Sequence, residues 1–271
     1  MLRVSAISFL NTVPLVRLLL AEHPGHLEVS FTLPSACADE LRAGTADVGL
    51  IPAIEYQRIP GLVILGDAAI ATKGFVRSIA LLSRRPLQEI RTVSADTASR
   101  TSVALTQVLF HSRFGRGVEM VAHSADPAAM LAECDAALVI GDPALHYRQD
   151  PLPGVEVTDL GQWWKDLTGL PFVFAFWAAR REAVSPDLAE AFNRWRDQGV
   201  QAVDAIVAEE SPRRGLPPEI VRAYLTENIH FTLDTACAAG LAEFYRRAAE
   251  LGLAPLGRQV EFIAAGAAAP C

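Results

Sequence analysis

Ile90-Arg91-Thr92-Val93-Ser94, then Ser99-Arg100-Thr101-Ser102, then Val103-Ala104-Leu105-Thr106-Gln107-Val108-Leu109-Phe110 reads as a β-strand, a hydroxyl-rich turn and a helix. That order, repeated along the chain, is the signature of an α/β fold. The turn itself carries a second meaning. Hydroxyl side chains at a helix start either cap it or leave its first amide N–H groups facing outward, where the helix dipole favours a carboxylate or phosphate. Arg100 adds a planar fork that matches a carboxylate. Ser99, Arg100, Thr101 and Ser102 are therefore candidate anion-binding residues, with an ordinary N-cap as the plain alternative.

Upstream, Leu2 to Ser8 reads as a strand and Val13 to Ala21 as a helix begun near Pro14. Leu27 to Leu33 is a second strand; Ala36 to Ala43 is a helix with Ser35 as N-cap and Gly44 as its stop. Asp47 to Ile51 lacks alternation and reads as a buried strand, and Arg77 to Ser83 as another. Downstream, a helix is expected over Thr101 to Arg113, a strand over Val118 to Ala122, a helix over Pro127 to Glu133 and a strand over Ala136 to Ile140. The apolar run Phe172 to Ala178 closes this series. Helices over Pro186 to Glu209, Pro217 to Glu227 and Thr235 to Leu251 follow, and the chain ends in the Ala-rich Ala264 to Pro270.

Two comparable series predict two lobes, each a mainly parallel sheet flanked by helices, with a C-terminal helical segment. The crossings are expected near Leu82 to Pro86 and Phe176 to Arg180. This assigns residues 1–85 and 180–271 to the first lobe and 86–179 to the second, with a ligand cleft between them. Open α/β sheets bind ligands beyond the carboxyl ends of their strands. The loops there carry Asn11-Thr12, Pro34-Ser35, Pro52 to Glu55, Ser99 to Ser102 and Gly141-Asp142-Pro143. Each has a structural alternative: Asn11 and Asp142 also suit helix starts, Glu55 suits pairing with a basic residue, and Trp163-Trp164 suits core packing.

The 24 Lys plus Arg against 31 Asp plus Glu, a net charge of -7, argue against a nucleic-acid surface. Cys37, Cys134, Cys237 and Cys271 are widely spaced, which suggests neither a disulfide framework nor a metal site. The start at Met1 runs directly into strand pattern without a leader, and no apolar run approaches the ~20 residues of a membrane helix, so a cytoplasmic, membrane-free protein is expected. P-loop, GxSxG, HExxH and dinucleotide signatures are all missing, which leaves phosphoryl, acyl and hydride transfer unsupported. The histidines at 23, 26, 111, 123, 146 and 230 show no sequence clustering; His146 follows the Gly141 turn and is the one placed to approach a cleft.

Several segments taken in order resemble the chorismate dehydratases of the futalosine route to menaquinone. They are Ile7-Ser8-Phe9-Leu10-Asn11-Thr12, Leu33-Pro34-Ser35, Asp47 to Pro52 with Glu55-Tyr56, Gly74 to Ser78, Asp96 with Ser99 to Ser102, Ile140-Gly141-Asp142, and Asp159 to Trp164 with Thr168 to Phe172. Ala53 departs from the pattern, standing where a hydroxyl is common. The resemblance implies a type 2 periplasmic-binding-protein-like fold in a cytoplasmic enzyme, a monomer or weak dimer, that needs neither metal nor cofactor. It implies loss of water from chorismate, a small dianion, with Asn11 and Ser78 as the catalytic pair. Ser35, Pro52, Ser99, Arg100, Thr101, Ser102, Gly141 and Asp142 are the implied substrate-binding residues. Two other identities fit the same fold: 1,4-dihydroxy-6-naphthoate synthase, which would need a histidine such as His146 in the cleft, and a solute-binding protein without catalysis.

Overall fold

The structure, a computed structural model, describes residues 1–22, 26–96, 98–124, 126–255 and 258–263. His23, the Ala264 to Pro270 tail and Cys271 lie outside these. The first sheet starts with β1 (Leu2–Ile7), α1 (Val13–Glu22), β2 (Leu27–Thr32), α2 (Pro34–Ala43) and β3 (Val48–Pro52), followed by α3 (Ala53–Arg58) and the long β4 (Leu62–Thr72). The second sheet takes β5 (Ile79–Ser83), β6 (Thr92–Ala95), α4 (Arg100–Phe114), β7 (Glu119–Ala122), α5 (Pro127–Glu133), β8 (Ala136–Ile140), α6 (Asp142–Tyr147) and β9 (Glu156–Asp159). After α7 (Leu160–Thr168), β10 (Phe172–Arg180) returns to the first sheet. Then come α8 (Pro186–Gln201), α9 (Val203–Arg214), α10 (Pro218–Ala223), β11 (His230–Thr232), α11 (Thr235–Glu250) and β12 (Phe262–Ile263).

The first sheet runs β11-β4-β10-β3-β1-β2 with β12 beside β4, and the second β7-β6-β8-β5-β9. The expected two-sheet α/β architecture is present, with two corrections. Both sheets are mixed: β1 pairs parallel with β2 and β3, and β6 with β7 and β8, whereas β10 and β5 run antiparallel to their neighbours. β5 and β10 are the strands by which the chain enters the second sheet and returns to the first, and each lies between two strands that it meets antiparallel. The crossings are also displaced. β5 pairs with β8 and so belongs to the second sheet, and β10 pairs with β3 and β4 in the first. The chain therefore changes sheet at residues 73–78 and 169–171, rather than near 85 and 180.

Burial explains why these elements form. β3, β5 and β8 are buried at every position, and β4 and β10 at all but one, as expected of strands covered on both faces. α8 covers the first sheet beside α1. The approach is close enough that a Cβ on Gly199 would lie 1.8 Å from the Pro14 carbonyl oxygen. The stretch read as one helix from Pro186 to Glu209 is two, divided at Ala202. Trp163 packs edge-on against Phe110, and the buried Trp164 indole donates to Pro171 O at 3.0 Å, so both tryptophans belong to the core.

Candidate active site

A narrow cavity lies between the two sheets, beyond the ends of β1, β3 and β8. Its polar lining is Asn11, Ser78, Ser99, Thr101 and Ser102; Ile7, Phe9, Ile70, Ile79, Ile140 and Phe174 supply apolar walls. Pro34, Pro52, Gly141 and Ala175 complete the rim. None of the lining residues carries a group that titrates near neutral pH. The cavity is thus a low-dielectric slot furnished only with amide, hydroxyl and backbone groups.

Local geometry aims each polar group. Beyond β1 the chain enters a 3-10 turn, Leu10–Thr12, that buries Asn11. Thr12 Oγ1 lies 3.5 Å from Asn11 Oδ1, an arrangement that leaves the Asn11 amide N–H₂ to donate. Ser78 follows Arg77, whose φ of 68° is unusual for a residue with a side chain. Ser78 N donates back to Val76 O at 2.8 Å, so Arg77 is the centre of a positive-φ γ-turn, a strained and rare form. Asp159 holds that turn: its carboxylate accepts from Val76 N at 3.0 Å and Arg77 N at 2.8 Å, while also capping α7 through Gln162 N. Arg148 ties the assembly, donating to Arg77 O at 2.7 Å and pairing with Asp159 at 3.2 Å. Burial raises the Asp159 carboxyl above its ordinary value, against the opposing pull of the three amides and Arg148.

α4 presents its start to the cavity. Ser99 occupies the N-cap position but makes no side-chain capping bond, and the first intrahelical acceptor serves Val103 N. The first-turn amides of a 15-residue helix are thereby offered to a ligand. Thr101 Oγ1 accepts from Ile54 N at 3.2 Å across the cleft and keeps its own proton to donate. Gly141, at φ 65°, brings its backbone against the Phe9 ring; a Cβ there would sit 2.9 Å from it.

Three expected binding residues stand elsewhere. Ser35 lies inside the first turn of α2 and neither caps it nor lines the cavity, for Leu33 is the N-cap and Pro34 takes the rim. Arg100 turns away to Asp39 at 2.7 Å and Glu55 at 3.2 Å, tying the second sheet's helix to the first sheet's loops. Glu55 is buried between Arg42, Arg58 and Arg100, which is the structural role its sequence allowed. Asp142 accepts from Leu10 N at 3.0 Å and pairs with Arg214, so it clasps the lobes beside the cavity. His146 is exposed on α6, and no described histidine lines the cavity. His230, Asp234 and Cys237 do come together at the start of α11, away from the cavity. There Asp234 caps the helix and pairs with Lys73, and burial pushes the Cys237 thiol up to about 12.

One site residue escaped the sequence reading. Tyr224, fully buried, donates to Ser78 Oγ at 2.8 Å. It stands at the start of a single π-helical turn, Tyr224–Asn228, closed by Ile229 N on Tyr224 O. Such widened turns concentrate at functional sites.

Two lobes closing on a polar cleft define a molecule of the periplasmic-binding-protein-like class. The solved structures agree: a protein from Archaeoglobus fulgidus aligns with a TM-score of 0.75 at 19% identity, covering 93% of this chain and 97% of that one. The alkanesulfonate-binding protein SsuA of Xanthomonas axonopodis pv. citri aligns at 0.66 and 15%, covering 94% of each. At those identities the likeness establishes the fold alone. The family described as "Menaquinone biosynthesis" matches residues 2–250, and the chain belongs to it. Its relatives include the chorismate dehydratase of Thermus thermophilus, 30% identical over 252 residues (87% of this chain, 91% of that protein). The 1,4-dihydroxy-6-naphtoate synthase of the same organism matches over 121 residues, 45% of this chain and 42% of its own, at 29% identity. Among the described residues no helix is long and apolar enough to cross a membrane.

Proposed function

We propose that this chain is a chorismate dehydratase, a cytoplasmic hydro-lyase that converts chorismate to 3-[(1-carboxyvinyl)oxy]benzoate and water. The observation that carries the reading is the composition of the cavity: amide and hydroxyl donors, a helix start for an anion, and no acid or base of its own. A reaction run there must bring its own base. Chorismate does: its enolpyruvyl carboxylate reaches the C3 proton. As that proton leaves, its electron pair forms the C3–C4 double bond, the C4–O bond breaks, and the ring becomes aromatic. The departing hydroxide takes up the proton and leaves as water, so no co-reactant is needed.

The protein's part is then orientation and electrostatics. Neither Asn nor Ser is a competent base without an activating partner. Asn11 and Ser78 serve as donors toward the departing C4 oxygen, while Thr101, Ser102 and the α4 amides hold a substrate carboxylate. Exclusion of water by the apolar walls strengthens each contact. Among the described residues no histidine lines this cavity, and His146 is exposed, which favours the dehydratase over a histidine-dependent naphthoate synthase. The test is incubation of the purified protein with chorismate, analysed by mass spectrometry. A product lighter by one water with benzoate absorbance is expected. Chorismate recovered unchanged, though bound, would return the chain to the solute-binding proteins.

A further inference from the structure

We infer that Tyr224 is a positioning residue that sets the direction of the Ser78 hydroxyl proton, making Ser78 a dedicated donor to the cavity; this rests on the dehydratase reading above. Ser78 Oγ accepts from the Tyr224 hydroxyl at 2.8 Å, and both side chains are buried. A hydroxyl that accepts from behind has its own proton to give in front. Burial raises the Tyr224 phenol above its ordinary value and keeps it protonated, so the direction of donation does not reverse across the working pH range. The result is a relay, Tyr224 to Ser78 to ligand, in which one bond polarises the next.

The residue reaches this place from far along the chain. The π-helical turn widens the backbone at Tyr224, and Asn228 at the end of that turn donates to Phe75 O at 3.1 Å, pinning it to the segment that bears Ser78. Tyr224 touches no reacting atom; it acts through Ser78.

The test is a double-mutant cycle on chorismate turnover with Tyr224→Phe and Ser78→Ala. Tyr224→Phe is expected to lower kcat by about 10-fold to 30-fold, with KM changed less than about threefold, because the lost interaction serves the departing oxygen. In the Ser78→Ala background the same change is expected to cost less than about twofold, since the tyrosine then has nothing to orient. A purely structural tyrosine would lose as much in either background. A loss undiminished by Ser78→Ala, or wild-type kcat in Tyr224→Phe, overturns the role of Tyr224 while leaving the dehydratase reading intact. Absence of turnover by the wild-type protein overturns that reading and this inference together. Should Tyr224→Phe fail to fold, the fluorine resonance of 3-fluorotyrosine at position 224 gives a second measurement that retains the hydroxyl. Binding of the benzoate product should shift it in the otherwise wild-type protein and leave it in place in Ser78→Ala; equal shifts in both contradict the inference.

Discussion

Replacing Asp159 by alanine removes the acceptor that holds the strained turn before Ser78, and its cost can be worked out bond by bond. Val76 N, which is buried, loses its partner at 3.0 Å, a deficit of roughly 1–3 kcal/mol. The capping bond to Gln162 N at the start of α7 goes as well, worth about 1 kcal/mol. Arg77 N and the Arg148 guanidinium sit closer to water, so each adds only about 0.5–1 kcal/mol. The expected total is about 4 kcal/mol, which at a urea m-value of roughly 3 kcal/mol/M moves the unfolding midpoint down by about 1.3 M. Asp159→Asn keeps one acceptor oxygen and avoids burying a charge, so it should recover about half of the shift. With the turn released, the γ-turn at Arg77 relaxes and kcat on chorismate should fall about 10-fold, through lost aim of Ser78. An Asp159→Ala midpoint within about 0.3 M of wild type would refute the claim that this carboxylate sustains the turn.

Gly141→Ala should weaken substrate binding at least about 10-fold, because it combines a strained φ with a Cβ driven into the Phe9 ring at the lobe contact; calorimetric titration would show it, and unchanged affinity would contradict the packing. Arg100→Ala should cost about 1 kcal/mol in chemical unfolding and leave KM within about threefold, since the guanidinium serves Asp39 and Glu55; a 10-fold rise in KM would mean that it binds ligand after all. Stability should be flat down to about pH 4.5 and fall from there toward about pH 2. Arg246 and Arg247 hold the Glu243 carboxyl down at about 2, and Arg100 and Arg3 hold Asp39 and Asp47 below the usual range. Groups depressed by folding stabilise above their unfolded pKa and lose that contribution as protons bind. Asp159, raised by burial, has the opposite sign and offsets only part of this. A thermal unfolding series across that range that showed no acid loss would contradict these pairings.

The local pattern of the chain was enough to read the strand ends that carry Asn11, Pro52, Ser99, Thr101, Ser102 and Gly141, and for that reason most of the cavity lining was legible. What it does not encode is which sheet a strand joins. β5 and β10 look alike as apolar runs, and only their hydrogen-bonded partners, β8 and the β3–β4 pair, decide membership. Arg84-Arg85-Pro86 resembles a linker by polarity yet simply follows β5 to the surface. β4 escaped notice because Leu62–Thr72 has no alternation and is interrupted by Gly66 and Asp67, where the strand bulges against β10. Arg100 shows the same limit at the level of a side chain, for its partners Asp39 and Glu55 are 61 and 45 residues away. Tyr224 lies 146 residues from Ser78 inside a helical stretch, where a tyrosine reads as ordinary core.

The most direct trial of the account is a single-turnover measurement of aromatic product from chorismate, with binding measured in parallel, on wild type, Asn11→Ala and Ser78→Ala. Both variants should bind the substrate within a few-fold of wild type and form product at least about 100-fold more slowly, as expected when a donor aimed at the leaving oxygen is removed. Product formation at the wild-type rate in both variants would contradict the account at its centre.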